Sequence, residues 1–164
     1  MRLTLGIVIT MAVATALAAA QTPKYGVTAK VEKNVDFARL RTYSWTKGQP
    51  SFDKSIDSRV TAAVDRELSA LGLTKMESGQ SDVLVTYASV SRTDVDLKAK
   101  ADEGRRPQYW VGTLVVALLD PASRQRLLQL RVDQPIETDR ESLGATIDSA
   151  VTAMFAKYPV RRSK

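Results

Sequence analysis

The apolar positions of this chain change period several times, and each change predicts an element. Val27, Ala29 and Val31 alternate with Thr28, Lys30 and Glu32, a period of two that describes a half-buried strand. Asp36 to Leu40 forms a short polar and apolar corner, and Arg41 to Thr46 reads as a second strand with Tyr43 and Trp45 on one face. Lys47-Gly48-Gln49-Pro50 breaks it. Next comes a helical period, with Ile56, Val60, Ala63, Val64, Leu68 and Leu71 on one stripe. Asp53 or Ser51 suits the N-cap of this helix, and Gly72 stands where a left-handed C′ residue is wanted.

Ser81 opens a third strand, Val83 and Val85 against Leu84 and Thr86, running through Tyr87 and Val90 towards Leu97. Lys98 to Gln108 is charged and contains Gly104 and Pro107, the composition of a solvated hairpin loop. Tyr109 to Asp120 is apolar on both alternating faces, which marks a central strand buried by helices on one side and partly covered on the other. After a turn at Asp120 to Ser123, Leu128, Leu130 and Val132 make a fifth strand, stopped by Pro135. Thr138 and Glu141 are spaced as a capping box for a second helix, with the stripe Leu143, Ile147, Ala150, Val151, Met154, Phe155 and Tyr158 before Pro159. The order β-β-α-β-β-β-α predicts a two-layer α+β fold, a mainly antiparallel five-stranded sheet with both amphipathic helices on one face. A right-handed crossover that carries the first helix between two parallel neighbours is the alternative, and strand order stays open.

The first twenty residues read differently from the rest. Arg2 supplies a positive start, Leu3 to Leu17 is apolar or small without a charge, and Ala18-Ala19-Ala20 offers the small-x-small pattern of a cleavage site. Residues 1–20 are therefore expected to be a signal peptide and 21–164 a single domain. An uncleaved membrane anchor is the rival reading, since Leu3 to Ala20 approaches the length of a bilayer span. The Ala-rich end is weakly apolar and favours cleavage. The expected location is the periplasm, with no transmembrane span after cleavage and, in a chain without cysteine, no lipid anchor.

Composition narrows the chemistry further. Zero cysteines exclude disulfides and thiol catalysis, and zero histidines exclude a His-based triad, a His-ligated zinc site and a His-ligated haem. No cofactor is expected. The formal charge is +6, and removing Arg2 with the signal leaves +5, which favours anionic surfaces. The expected partner is an envelope protein of unknown identity or an anionic envelope component such as lipid headgroups or acidic glycans. Export argues against nucleic acid.

Three segments are also familiar as a set. Asp36-Phe37-Ala38-Arg39-Leu40-Arg41-Thr42-Tyr43-Ser44-Trp45, Ser81-Asp82-Val83-Leu84-Val85-Thr86-Tyr87, and Gly112-Thr113-Leu114-Val115-Val116 leading to Leu119-Asp120 resemble the domain-of-unknown-function family 4136 of bacterial envelope proteins. The final helix, ending Met154-Phe155-Ala156-Lys157-Tyr158-Pro159, is similar too. The resemblance implies a small exported protein, in most members a lipoprotein, and it implies no activity, cofactor or catalytic residue. The chain departs from the family pattern in two places. It lacks the lipobox cysteine, and Leu127-Leu128-Gln129-Leu130 replaces a Trp-containing stretch.

Candidate sites each have a plainer explanation. Tyr43 and Trp45 form an aromatic surface for a sugar or peptide, or else pack against a helix. Ser51-Phe52-Asp53-Lys54 has the Ser-x-x-Lys pattern of penicillin-binding enzymes, but helix capping accounts for Ser51 and Asp53 without chemistry. Asp94 and Asp96 share one side of a strand, as calcium ligands or as solvated edge charges. Arg105, Arg106, Arg161, Arg162 and Lys164 make a candidate anion or partner surface. These residues favour an exported, non-enzymatic accessory or interaction module over its two alternatives, a small-ligand carrier and a hydrolase that needs neither His nor Cys.

Overall fold

The computed structural model describes residues 26–96, 100, 107–136 and 140–159. Its elements are β1 (Gly26–Val31), a 3-10 turn (Phe37–Arg39), β2 (Thr42–Trp45), α1 (Lys54–Ala70), β3 (Thr74–Lys75), β4 (Val83–Val95), β5 (Gln108–Leu119), β6 (Arg126–Pro135) and α2 (Arg140–Phe155). The strands form one sheet in the order β1-β6-β5-β4-β2-β3. β4, β5 and β6 are an antiparallel meander with β1 antiparallel on its far edge, whereas β2 runs parallel to both β4 and β3. The fold is α+β, and two expectations are corrected. The sheet has six strands rather than five, and it is mixed because α1 lies between the parallel neighbours β2 and β4.

The extra strand is Thr74–Lys75, two exposed residues that leave no periodic signal. Pairing places them, through Thr42 opposite Thr74 and Tyr43 opposite Lys75. A third correction concerns β1, where Val27 is half-buried but Ala29 is exposed and Val31 is 46% exposed. Alternation sets which face a residue takes, but an edge strand has too little cover to bury that face.

The helices form as their stripes predict. Asp53 caps α1 by accepting the Ser55 amide N–H at 2.8 Å, and Gly72 adopts φ +87° just beyond the helix. Val60, Ala63, Val64 and Leu68 of α1 and Val151, Met154 and Phe155 of α2 pack on Val83 and Val85, Val116 and Leu118, and Leu128 and Leu130 of the meander. Burying each Leu or Val of this layer contributes about 1.5–3 kcal/mol. Across the helix pair, Asp148 accepts from Arg59 and from Arg66, and Thr152 donates to the buried Glu67 carboxylate at 2.7 Å. The parallel β2–β4 pair is locked by Asp82, which accepts the amide N–H groups of Arg41 (2.8 Å) and Thr42 (2.9 Å). In return the Asp82 amide donates to Thr42 Oγ1.

Candidate functional site

The meander is longer than the helices that cover it, and the uncovered part of its helix-side face becomes a groove. Its walls are the first two turns of α1 and the first three of α2, with Ile56 and Val60 on one side and Leu143, Ile147 and Ala150 on the other. Leu114 and Val132 form its floor, and Ile136 closes one end. Gly112 lies beneath Ile136, where a Cβ would stand 2.9 Å from Ile136 Cγ2, so glycine makes room for this residue. The groove has a volume of about 450 Å³, within the range of small-molecule and peptide sites.

A set of hydrogen bonds presents Phe52 at the mouth. Ser51 Oγ accepts the Asp53 amide N–H at 3.3 Å, and the Ser51 amide donates to the Tyr87 hydroxyl at 3.3 Å. Tyr87 in turn donates to Asp57 in the first turn of α1. With both neighbours held, the Phe52 side chain is left fully exposed. Burial, reinforced by the Asp57 carboxylate, pushes the Tyr87 hydroxyl up to about 12, so at neutral pH it is a fixed donor rather than a base or nucleophile. The polar groups on the groove wall are hydroxyls and amides, those of Ser51, Ser89, Ser91, Thr146 and Gln134. Such a lining can orient a ligand, and none of the described lining residues is charged.

The residues singled out in the sequence are not brought together. Tyr43 is buried and Trp45 half-buried, and both reach Asp65 of α1 through Tyr43 Oη (2.8 Å) and Trp45 Nε1 (2.8 Å). They pack beneath a helix, with Trp45 edge-on to Tyr87, instead of presenting an open aromatic face. Ser51 is engaged in the turn before α1, while Lys54 is the first residue of that helix. Asp94 accepts its neighbour's amide N–H, and among the described residues no three acidic or other ligating groups cluster as a metal site. Arg105, Arg106, Arg161, Arg162 and Lys164 lie outside the described residues, as do the first twenty residues and Thr138.

Three carboxylate centres were not singled out from the sequence. Asp65 joins β2 and α1, Asp57 holds Tyr87, and Asp133 on β6 accepts from Arg131, Arg92 and Thr113. The Arg131 guanidinium beside Asp133, helped by the other donors, holds its carboxyl well below the usual range. Only the Arg131 and Asp133 pairing has a sequence signal, since residues two apart share a strand face. Each of the others depends on a partner at least twenty residues away.

No curated protein sequence matches the chain significantly. Among solved structures, a PDZ domain protein from Parabacteroides distasonis superposes with a TM-score of 0.61 at 14% identity, over 85% of this chain and 36% of that one. The PelC dodecamer from Paraburkholderia phytofirmans gives a TM-score of 0.57 at 9% identity, over 84% of this chain and 99% of that one. Likeness at these identities concerns the fold alone. Sequence relationship comes from a family model, described as a domain of unknown function, that matches residues 27–160 from the first strand to just past the last helix. The chain therefore belongs to the DUF4136 family.

Proposed function

We propose that this protein is an exported, non-enzymatic accessory module of the bacterial envelope, and that its groove holds an apolar segment of a partner protein. The observation that carries this reading is Phe52, a large aromatic side chain left wholly in solvent at the mouth of an apolar groove of about 450 Å³. Exposed aromatic side chains beside well-formed pockets are the usual anchors of protein interfaces. The use of the carboxylates supports the non-enzymatic part. Asp53 caps a helix, Asp65 and Asp82 join strands to their neighbours, Asp120 holds a turn, and Asp148 bridges the helices. The leader pattern of residues 1–20 supports export.

A photo-crosslinking residue placed at Phe52 of the full chain, expressed in its native cell, tests this reading, with Lys30 on the opposite sheet face as the control position. The expected result is a discrete protein adduct from position 52 that disappears when Ser89→Trp fills the groove. No adduct, or one that survives Ser89→Trp, overturns it. A lipid or other small molecule that co-purifies with the native chain and is lost in Ser89→Trp supports the carrier reading instead.

A further inference from the structure

No described helix or strand lies on the face of the sheet opposite the helices, although Val111, Thr113 and Ala117 are buried there by their neighbours, and its charge is unlike that of the groove. Strand alternation and register place Ala88 beside Val115 and Thr86 beside Ala117 on this face. These small residues floor a shallow trough, walled by Lys47-Gly48-Gln49. At one end, Arg92 Nη1 donates to Thr113 Oγ1 (3.1 Å) and Asp133 (3.2 Å), and Arg131 binds Asp133 through Nε (2.6 Å) and Nη2 (2.8 Å). At the other end, Arg124 donates to Thr46 Oγ1 at 3.0 Å and Arg126 to Gln129 Oε1 at 2.6 Å.

Each guanidinium is therefore anchored through some of its N–H groups and keeps others for a ligand. The two ends are joined by the stretch from Thr113 to Leu119, about 20 Å of extended strand at 3.4 Å per residue. Among the described residues two carboxylates, Asp133 and by strand alternation Asp94, stand on this face against four arginines, so the described charges of the trough sum to a positive value.

We propose that this open face binds an extended polyanion of the acidic-polysaccharide class, whose carboxylates pair with the arginines at both ends. Guanidinium groups match carboxylates bidentately, and a span of about 20 Å suits a chain better than a single small anion. The same face is poorly made for other anionic partners. Of the exposed large apolar residues described, only Val90 alternates onto it, whereas interfacial membrane binding needs inserted aromatic or Leu side chains. Tyr87 lines its floor only from behind, with its hydroxyl held at Asp57 on the helix side, so the described floor presents no ring on which a base can stack. It offers side chains rather than a free strand edge, and peptides take the edge.

The test uses the purified mature chain with uronate oligomers, neutral dextran, polyglutamate and phosphatidylglycerol vesicles as probes. Arg92→Gln/Arg124→Gln/Arg126→Gln leaves the Arg131–Asp133 pair intact, so the fold is retained and circular dichroism checks this. The expected result is uronate binding without dextran binding, weakened about tenfold or more between about 50 and 300 mM salt, and lost in the triple variant. Arg161→Gln/Arg162→Gln/Lys164→Gln should leave it unchanged. Uronate binding that persists in the folded triple variant, disappears in the tail variant, or is matched by polyglutamate or vesicles overturns the proposal. The groove reading stands or falls separately, because Ser89→Trp does not touch this face.

Discussion

Tyr43 on β2 and Asp65 on α1, twenty-two residues apart, meet in a 2.8 Å hydrogen bond from phenol to carboxylate. The same carboxylate oxygen accepts Trp45 Nε1 at 2.8 Å, and its second oxygen takes the Lys75 ammonium of β3 at 3.2 Å. One side chain thus joins a helix to two parallel strands at the edge of the sheet. Burial, with Asp65 as acceptor, raises the Tyr43 hydroxyl above its ordinary value, so it stays a donor at all ordinary pH.

Asp65→Ala should therefore cost about 1–3 kcal/mol, the penalty of leaving buried donors without a partner. Urea unfolding of the single variant and of Asp65→Ala/Tyr43→Phe measures it. The double variant should recover part of the loss, because Phe has no hydroxyl to satisfy.

Acid should act through Asp82. Its carboxyl is held below the ordinary value of 3.8, first by the Arg41 amide N–H and then by that of Thr42. A depressed folded-state pKa gives a contribution that is fully present above the ordinary value and lost as pH falls through the folded one. The stability gap between the native chain and Asp82→Asn should be constant above about pH 5 and close below about pH 4. Chemical denaturation at a series of pH values reads it, and a gap independent of pH would show that the clamp does not need the charge.

Two glycines should respond with opposite sign. A Cβ at Gly48 would lie 2.3 Å from the Tyr87 carbonyl oxygen and 2.4 Å from Thr86 Oγ1, so Gly48→Ala should cost roughly 1–3 kcal/mol. Inside α2, the atoms nearest to a Cβ at Gly144 are those of the Arg59 guanidinium, at an ordinary contact distance of 3.7 Å, and Gly144→Ala should stabilise by about 0.5–1 kcal/mol. Thermal melts of the two variants give the signs directly.

Core truncations should contrast with one polar deletion. Leu68→Ala and Met154→Ala each empty a fully buried site and should cost about 2–5 kcal/mol. Tyr158→Phe should be neutral or mildly stabilising: its hydroxyl is buried without a partner among the described residues, while its edge-to-face contact with Phe37, centroids 5.6 Å apart, remains. Urea midpoints of the three variants should fall in that order of severity.

The helices and long strands are legible in the sequence because each satisfies a local rule. The stripe from Ile56 to Leu71, capped by Asp53 and followed by Gly72, specifies α1 without reference to anything else in the chain. Strands β4, β5 and β6 follow from alternation and turn residues in the same way. Local patterns do not contain a strand's neighbours. Thr74–Lys75 becomes a strand only because Tyr43 lies beside it, β2 is parallel to β4 only because α1 spans the distance between them, and β1 is exposed because no described strand flanks its outer edge. The sites follow the same division. Alternation places Tyr43 and Trp45 on one face, but whether that face meets solvent or Asp65 depends on where α1 comes to rest. The groove beside Phe52 arises from the mismatch between a long meander and two shorter helices, whereas the arginine trough arises from the strand register that gathers Arg92, Arg131 and Asp133 on the opposite face. That mismatch belongs to the packing of layers, and no window of sequence carries it.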